Sequence, residues 1–309
     1  MIPRTVHWLD LSAGRFERKR ISALENMLPG YEFIGWDLLE LSKEDLPEEI
    51  VKMLEGPSFE RASSYLCAHL LYRYGGIYMD PATVLFRDLS DMSPAGMYCF
   101  REFVPERMKE SSSLLNAYGN ALGPGSIPGS GISTAMMASE KGHPLLERYM
   151  QLFTDNVKKI KKEKDLLEED LWAMAMRSWG LRYLDELQVL YYGVLVYPSG
   201  YLPSDPGQLG PLSLGLSLRG DPWQRKGRIT GGLAIRKALR SARAHARTLE
   251  EIQAPAPVMP SVGPEEEEET LPGSAPEAFF SAMEDDALPE NDPGQEQGER
   301  EETADETDN

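Results

Sequence analysis

The residue best placed for chemistry in this chain is Asp80, in the segment Tyr72-Arg-Tyr-Gly-Gly-Ile-Tyr-Met-Asp-Pro-Ala-Thr83. It stands at the end of a short apolar run that follows two glycines. Carboxylate oxygens bind Mg²⁺ or Mn²⁺, and one carboxylate can suffice where water and phosphate complete the coordination shell. The Asp-Pro pair is also ordinary turn chemistry, in which the carboxylate accepts backbone N–H groups. The sequence thus predicts a cation ligand or a turn residue at this position.

The elements that must position Asp80 are a helix and a strand. Apolar side chains recur at helical spacing from Phe59 to Tyr74, which predicts a helix with one buried face. Gly75 can adopt the left-handed conformation that ends a helix, and Gly76 lets the chain turn at once into a strand from Ile77 to Met79. Asp80 is therefore expected at the carboxyl end of a buried strand.

Strands and helices alternate on either side of this unit. Apolar patterns predict strands at Ile2–Leu9, Tyr31–Trp36, Val84–Phe86 and Gly96–Arg101, and helices at Phe16–Met27, Leu46–Leu54 and from Pro144 onwards. Such alternation favours an α/β fold with a mainly parallel, twisted, Rossmann-like sheet flanked by helices. Ligands of these folds bind beyond the carboxyl ends of the strands.

Three segments resemble the DXD-containing nucleotide-sugar glycosyltransferase superfamily, which includes fungal mannosyltransferases and bacterial capsular polysaccharide synthesis proteins. Residues Ala62 to Asp80 are similar to its core, Ile2-Pro-Arg-Thr-Val-His-Trp8 to its first strand, and the stretch from Gly131 to Pro144 to a later strand and helix. The resemblance implies a GT-A-like fold. It also implies transfer of a hexose from a nucleoside-diphosphate sugar to a hydroxyl acceptor, assisted by Mn²⁺ or Mg²⁺.

The resemblance also implies a set of site residues. Asp80 is the expected catalytic residue and metal ligand. Independently of the resemblance, Thr83, Asp205 and Asp221 are weaker candidates for further ligands, because loops can complete the shell of a cation held by one carboxylate. Donor contacts are expected at Trp8, Trp36, Ser63, Ser64, Gly75, Gly76 and Tyr78. Trp36 is equally suited to the core.

The chain departs from the family pattern at two places. The family's Ser-Asp-x-x-Arg reads Ser63, Ser64 and Cys67 here, and its Asp-x-Asp triplet reads Asp80-Pro81-Ala82. A catalytically impaired pseudo-glycosyltransferase that binds a sugar, a nucleotide or a protein is therefore the alternative to an enzyme. A further alternative is an interaction protein whose acidic tail is the working part.

The charge of the chain is concentrated at one end. Residues 251–309 hold 19 acidic residues and one basic residue, a net charge of −18 that equals the charge of the whole chain and leaves residues 1–250 neutral. So acidic and proline-rich a segment cannot bury enough apolar surface to fold. We expect one glycosyltransferase-like domain over residues 1–250 and a disordered tail over 251–309, which could contact a protein partner. Nucleic-acid binding is disfavoured because no excess of positive charge exists.

Other features of the sequence bear on the cellular compartment and on the remaining candidate site residues. Two cysteines are too few for a disulfide framework, no run of about 20 apolar residues could cross a membrane, and the amino terminus lacks a signal-peptide pattern. These features favour a cytoplasmic protein. His7 and His143 lack a third ligand at metal spacing, which predicts structural roles for both. The glycine- and proline-rich residues 119–131 predict a mobile loop near the site.

Overall fold

The computed structural model describes residues 1–10, 15–56, 59–90, 92, 96–162 and 166–218. Nine strands are described: β1 (Thr5–Leu9), β2 (Glu32–Trp36), β3 (Gly76–Met79), β4 (Thr83–Leu85), β5 (Met97–Phe103), β6 (Ser130–Ser139), β7 (Gln188–Leu190), β8 (Val194–Tyr197) and β9 (Gly215–Ser217). Seven α-helices are described: α1 (Arg15–Met27), α2 (Leu38–Leu41), α3 (Glu48–Leu54), α4 (Phe59–Tyr74), α5 (Pro105–Ser111), α6 (Pro144–Lys162) and α7 (Glu168–Met176). The predicted tail, residues 251–309, lies outside the described residues.

Seven strands form one sheet in the order β2-β1-β3-β6-β5-β8-β7, and β4 pairs with β9 in a separate ribbon. The pairs β1–β2, β1–β3 and β5–β8 are parallel, whereas β3–β6, β5–β6 and β7–β8 are antiparallel. The sheet is therefore mixed, and the predicted α/β class is confirmed. Because only β6 and β7 are reversed, the carboxyl ends of the other five strands share one edge, here named the carboxyl edge.

Helices cover both faces of this sheet. Tyr78 and Met137 belong to the core cluster that holds α4, α6 and α7, whereas their neighbours Ile77 and Met136 belong to the cluster on the α1 side. All four side chains are at most 2% exposed. Alternate residues of β3 and β6 therefore pack into the cores on opposite faces of the sheet, which explains why β3 is apolar without alternation. No helix within the described ranges is both long and apolar enough to cross a membrane.

The helix–strand unit before Asp80 is as predicted. Helix α4 begins and ends at the predicted residues, and β3 begins one residue before the predicted strand. Gly75 and Gly76 have φ angles of +70° and +98°, and a Cβ atom at Gly76 would lie 2.5 Å from the Thr5 carbonyl oxygen. Only glycine combines this left-handed backbone with so close an approach to β1.

Strand β6 changes its register against β5. Cys99 pairs with Met137 and Arg101 with Ile132, so β6 advances by five residues while β5 advances by two. Three extra residues of β6 are accommodated within residues 133–136, here named the β6 bulge. Bulges bend a strand, increase its twist and are frequent beside functional sites. This one lies next to the carboxyl end of β3, since the Asp80 N–H donates to the carbonyl oxygen of Ala135 at 2.8 Å.

Candidate functional site

Asp80 is the first residue beyond β3, and its side chain is partly exposed at the carboxyl edge. Its Oδ1 accepts the backbone N–H of Ala82 at 2.7 Å, and its own carbonyl oxygen accepts the N–H of Thr83 at 2.8 Å. The turn that the sequence predicted is thus present. The residue as a whole is partly exposed and the turn fixes one of its carboxylate oxygens, while the role of cation ligand stays a prediction.

Three other elements hold the turn that carries Asp80. From α1, Arg20 Nη1 donates to the carbonyl oxygen of Pro81 at 3.4 Å. From the end of β9, the Leu218 N–H donates to the carbonyl oxygen of Ala82 at 2.9 Å. From the β6 bulge, the Ala135 carbonyl oxygen accepts the Thr83 hydroxyl at 3.1 Å. These contacts from separate parts of the chain make the turn a preformed feature of the fold.

The predicted helper ligands lie in different surroundings. Thr83 is fully buried, and its hydroxyl points inward to the β6 bulge. Asp205 is exposed in a short 3₁₀ turn, where its side chain accepts the Gly207 N–H at 2.9 Å. Asp221 lies outside the described residues. Among the residues that are described, no group of three or more His, Cys, Asp or Glu side chains is arranged to hold a metal ion.

A carboxylate also follows each of β1 and β2, the two parallel strands on one side of β3. Asp10 follows β1, Asp37 follows β2, and the pairing of Leu9 with Trp36 brings the two strand ends level. Asp37 caps α2 by accepting the Glu40 N–H at 2.8 Å. Asp10 was missed by the sequence reasoning, although an aspartate directly after an apolar strand is the pattern that identified Asp80. The carboxyl edge therefore presents acidic side chains on three adjacent strands.

Trp36 and His7 form a buried pair between β1 and β2. Trp36 Nε1 donates to His7 Nδ1 at 3.1 Å, and His7 Nε2 lies 2.9 Å from the Gly75 carbonyl oxygen. Because Nδ1 accepts a hydrogen bond, the ring proton belongs to Nε2, which donates to Gly75. Burial lowers the pKa of His7, in keeping with this neutral form. The structural role predicted for His7 is confirmed, and the Trp36 N–H is used within the fold.

Trp8, the other aromatic residue expected at the donor, packs against the neighbouring strand. A Cβ atom on Gly35 would lie 2.7 Å from Cζ2 of the indole, so the ring occupies the space that a side chain at position 35 would need. Trp8 is 8% exposed. Its donor contact stays a prediction, limited to the small part of the ring that solvent reaches.

Ser64 lies in the core between α4, α6 and α7. Its Oγ is 2.6 Å from the Tyr149 hydroxyl and accepts the Trp172 indole N–H at 3.1 Å. The Tyr149 and Trp172 rings stack, with centroids 3.6 Å apart and planes at 5°. Ser64 and Cys67 are both fully buried. The two positions that carry an acid and a base in the resembling family therefore pack against helices in this chain.

The predicted site residues do not all meet. Asp80 and Thr83 share one turn, but Gly75 and Gly76 lie at the opposite end of β3, about 13 Å away for four steps of a strand. Ser63 and Tyr78 are 8% and 1% exposed, and Tyr78 belongs to the core cluster on the α4 side. Helix and strand periodicity could place these residues on elements, but it could not reveal which neighbouring helices cover them.

A second polar cluster at the carboxyl edge was not foreseen from the sequence. Arg101, near the end of β5, is 1% exposed; it donates to Ser130 Oγ and lies over the Tyr183 ring, 5.7 Å from its centroid. The Tyr183 hydroxyl in turn accepts a hydrogen bond from Arg177 Nε at 2.7 Å. Burial lowers the pKa of Arg101. An arginine within an apolar strand is the one local signal that could have drawn attention to this cluster.

Asp170, in the first turn of α7, adds a buried carboxyl group beside this cluster. It is 2% exposed, and Arg107 Nη2 lies 3.8 Å from its Oδ2. Burial raises the pKa of Asp170 to about 7, although Arg107 and a hydrogen bond from the Leu167 backbone oppose the change. This carboxyl group can therefore exchange a proton near neutral pH.

Comparisons with known proteins add structural likeness only. No protein-family model matches the chain, and no curated protein matches it. Three solved glycosyltransferases are similar to it. PaToxG glycosyltransferase is 14% identical with a TM-score of 0.38 and covers 57% of this chain and 69% of its own. The apo form of GlyE from Streptococcus pneumoniae is 13% identical with a TM-score of 0.42, and the match covers 81% of this chain and 64% of the GlyE chain. Galactosyltransferase LgtC, in complex with donor and acceptor sugar analogues, is 12% identical with a TM-score of 0.43. The match covers 78% of this chain and 96% of the LgtC chain. These TM-scores are below 0.5, so the function is argued from the site.

Proposed function

We propose that this chain is a glycosyltransferase that moves a hexose from a nucleoside-diphosphate sugar to a hydroxyl acceptor, with Asp80 as its principal site residue. The observation that carries the proposal is the partly exposed Asp80 carboxylate, fixed at the carboxyl edge beside the β6 bulge. Ligands of open α/β sheets bind at this edge. The three-segment sequence resemblance supports the same reaction.

The Asp80 carboxylate suits a magnesium-type cation. Mg²⁺ is commonly bound through one or two carboxylates while substrate phosphates and waters complete its shell. Asp80 would be the described protein ligand. A bound cation would stabilise the negative charge of the departing diphosphate. The turn around Asp80 supplies orientation, because Arg20, Leu218 and Ala135 fix its backbone before any substrate arrives.

The test separates the charge of Asp80 from its role in the turn. In Asp80→Asn the amide oxygen can still accept the Ala82 N–H, so the turn is retained while the negative charge is lost. Asp80→Ala removes both. We expect the wild type to hydrolyse UDP-glucose or GDP-mannose with Mn²⁺, and Asp80→Asn to lose at least about 100-fold in rate, the scale for removing a catalytic group.

Two controls accompany this test. Urea unfolding should show Asp80→Asn as stable as the wild type, because its turn hydrogen bond is preserved. Exposed Asp88→Asn, which likewise keeps its acceptor for the Ser90 N–H, should hydrolyse donor at the wild-type rate. Full activity in Asp80→Asn would remove this carboxylate from the mechanism.

The burial of Ser64 and Cys67 favours a second candidate, a binding module without turnover. Neither position offers an exposed acid or base to a donor. Isothermal titration of the same two donors, with Mn²⁺ present, distinguishes the candidates. Binding without hydrolysis by the wild type would support the module, whereas hydrolysis that depends on Asp80 would support the enzyme.

A further inference from the structure

The chain between α5 and β6 has an unusual surface. None of residues 112–129, here named the uncharged loop, is Asp, Glu, Lys, Arg or His, although 27% of the chain is charged and 27% of 18 residues is about five. Most of these residues are exposed. An exposed surface without charge offers no ionic partner to a charged ligand, so it suits an uncharged one.

The uncharged loop lies on the side of the sheet that holds Asp80. It connects the carboxyl end of β5, through α5, to the start of β6, and both positions are on the carboxyl edge. β6 separates β5 from β3 in the sheet. Neighbouring strands are about 4.8 Å apart, so β5 and β3 lie about 10 Å apart, a span of two sugar rings.

Hydrogen bonds hold the tip of the uncharged loop in one shape. Asn116 Oδ1 accepts the N–H groups of Tyr118 and Asn120 at 2.9 and 3.0 Å. The Leu122 N–H donates to Leu114 O at 2.9 Å, which closes a small hairpin around that tip. The Tyr118 ring is 73% exposed even though its backbone is held. The phenol is thus displayed outward on a preformed support.

Arg177 joins this support to the second polar cluster. Its Nη1 and Nη2 donate to the carbonyl oxygens of Gly123 and Gly125 at 3.1 and 2.5 Å, while its Nε donates to the Tyr183 hydroxyl. The charged guanidinium of Arg177 therefore binds backbone carbonyl oxygens of the loop and holds the loop against the second polar cluster. The surface that faces outward keeps its uncharged character.

The exposed chemistry of the uncharged loop is that of a tyrosine face, serine hydroxyls and asparagine amides. Sugar rings present apolar C–H faces that stack on an aromatic ring, and their hydroxyls exchange hydrogen bonds with hydroxyl and amide groups. Tyr, Ser, Gly and Asn are also the residues that supply rigid contact area and adaptable hydrogen bonding in binding loops. A charged polymer would find no opposite charge here, and a membrane would find the leucines interrupted by polar groups.

We infer that the uncharged loop binds the acceptor, that this acceptor is a neutral oligosaccharide, and that Tyr118 is its stacking platform. The inference rests on the proposed function, since it places the acceptor at the same edge as Asp80. It assigns Tyr118 a role in specificity, separate from any contact with the reacting atoms.

Binding can be tested without turnover. Saturation-transfer NMR would be recorded on the full chain with maltotriose, mannotriose or chitotriose as neutral probes, a heparin tetrasaccharide as the charged probe, and phosphatidylcholine vesicles in a separate sedimentation assay. We expect a neutral probe to bind, Tyr118→Ala to weaken that binding about tenfold, and Tyr118→Phe to restore it. The matched control is Tyr191→Ala, since Tyr191 is 69% exposed but belongs to the β7–β8 connection at the opposite edge.

The outcomes are separable from those of the Asp80 test. Loss of donor hydrolysis in Asp80→Asn bears on the reaction, whereas loss of oligosaccharide binding in Tyr118→Ala bears on the acceptor. Neutral probes that do not bind, binding that survives Tyr118→Ala, or preferential binding of heparin or vesicles would each overturn the inference.

Discussion

At the scale of single residues, Asp170 shows how burial can set the protonation of one side chain. Its carboxyl group is 2% exposed, and its nearest cation, Arg107, is 3.8 Å away and partly solvated. The pKa of Asp170 is raised by burial to about 7, from 3.8 in an unfolded chain. Between these two values the folded protein retains a proton that the unfolded chain has already released.

We therefore predict that Asp170 lowers stability as pH rises from about 4 to 7. The unfolded chain loses its proton first, so ionisation favours unfolding over this range, by at most about 4 kcal/mol and by a constant amount above it. Asp170→Asn should lack this part of the pH dependence. The measurement is the free energy of urea unfolding at pH 5 and pH 8 for both proteins. Curves that run parallel for the two proteins would contradict the prediction.

Sequence reasoning at this scale succeeds where the partners are local. The turn at Asp80 could be predicted because its acceptor and donor are two residues apart. The buried environment of Ser64 could not be predicted, because its hydrogen-bond partners Tyr149 and Trp172 are 85 and 108 residues away along the chain. For Asp10, the position at the end of a strand could be predicted from the apolar run before it. The residues that surround it in space could not.

At the scale of elements, the start of β6 is fitted tightly to α7. A Cβ atom on Gly131 would lie 2.6 Å from Glu169 Cβ and 2.8 Å from its backbone carbon. Backbone of a helix cannot shift as a flexible side chain can, so no side chain fits between this strand and the first turn of α7.

We predict that Gly131→Ala destabilises the protein by about 1–3 kcal/mol, the usual cost of overpacking. The control is Gly200→Ala, because a Cβ atom there would have no heavy atom within 4 Å and the backbone is not left-handed. Its unfolding free energy should change by no more than about 0.5 kcal/mol. The two variants would be compared by urea unfolding, and equal effects would show that the close packing is not the cause.

Local patterns predicted α4 at both ends and β3 to within one residue, because periodicity and the glycine pair are properties of neighbouring residues. The β6 bulge could not be predicted in this way. It is a mismatch of register between β5 and β6, and register depends on which residues of two separate segments meet.

At the scale of the whole molecule, charge is distributed unevenly along the chain. Residues 1–250 carry no net charge, and residues 251–309 carry −18. Alternating patterns predicted the α/β class, but the pairing of β3 with a reversed β6 follows from the path of the chain between them. Local patterns do not specify that path. The predicted domain boundary at residue 250 lies outside the described residues.

We predict that a chain ending at residue 250 folds and functions as the full chain does. The acidic segment offers too little apolar surface to contribute to a core, so its removal should change the free energy of unfolding by less than about 0.5 kcal/mol. Donor hydrolysis should also be unchanged. The measurements are urea unfolding and the hydrolysis assay on both chains, and a large loss in either would assign the segment a part in the domain.

The packing around Ser64 limits which side chains that position can hold. An aspartate there would need its helix face open to solvent or to a ligand, whereas the serine oxygen contacts two stacked rings in the core. Introducing an acid by a single substitution would trap a carboxylate in a dry interior, at a cost of several kcal/mol. An acid at position 64 would therefore require compensating changes in α6 and α7, the helices that supply Tyr149 and Trp172.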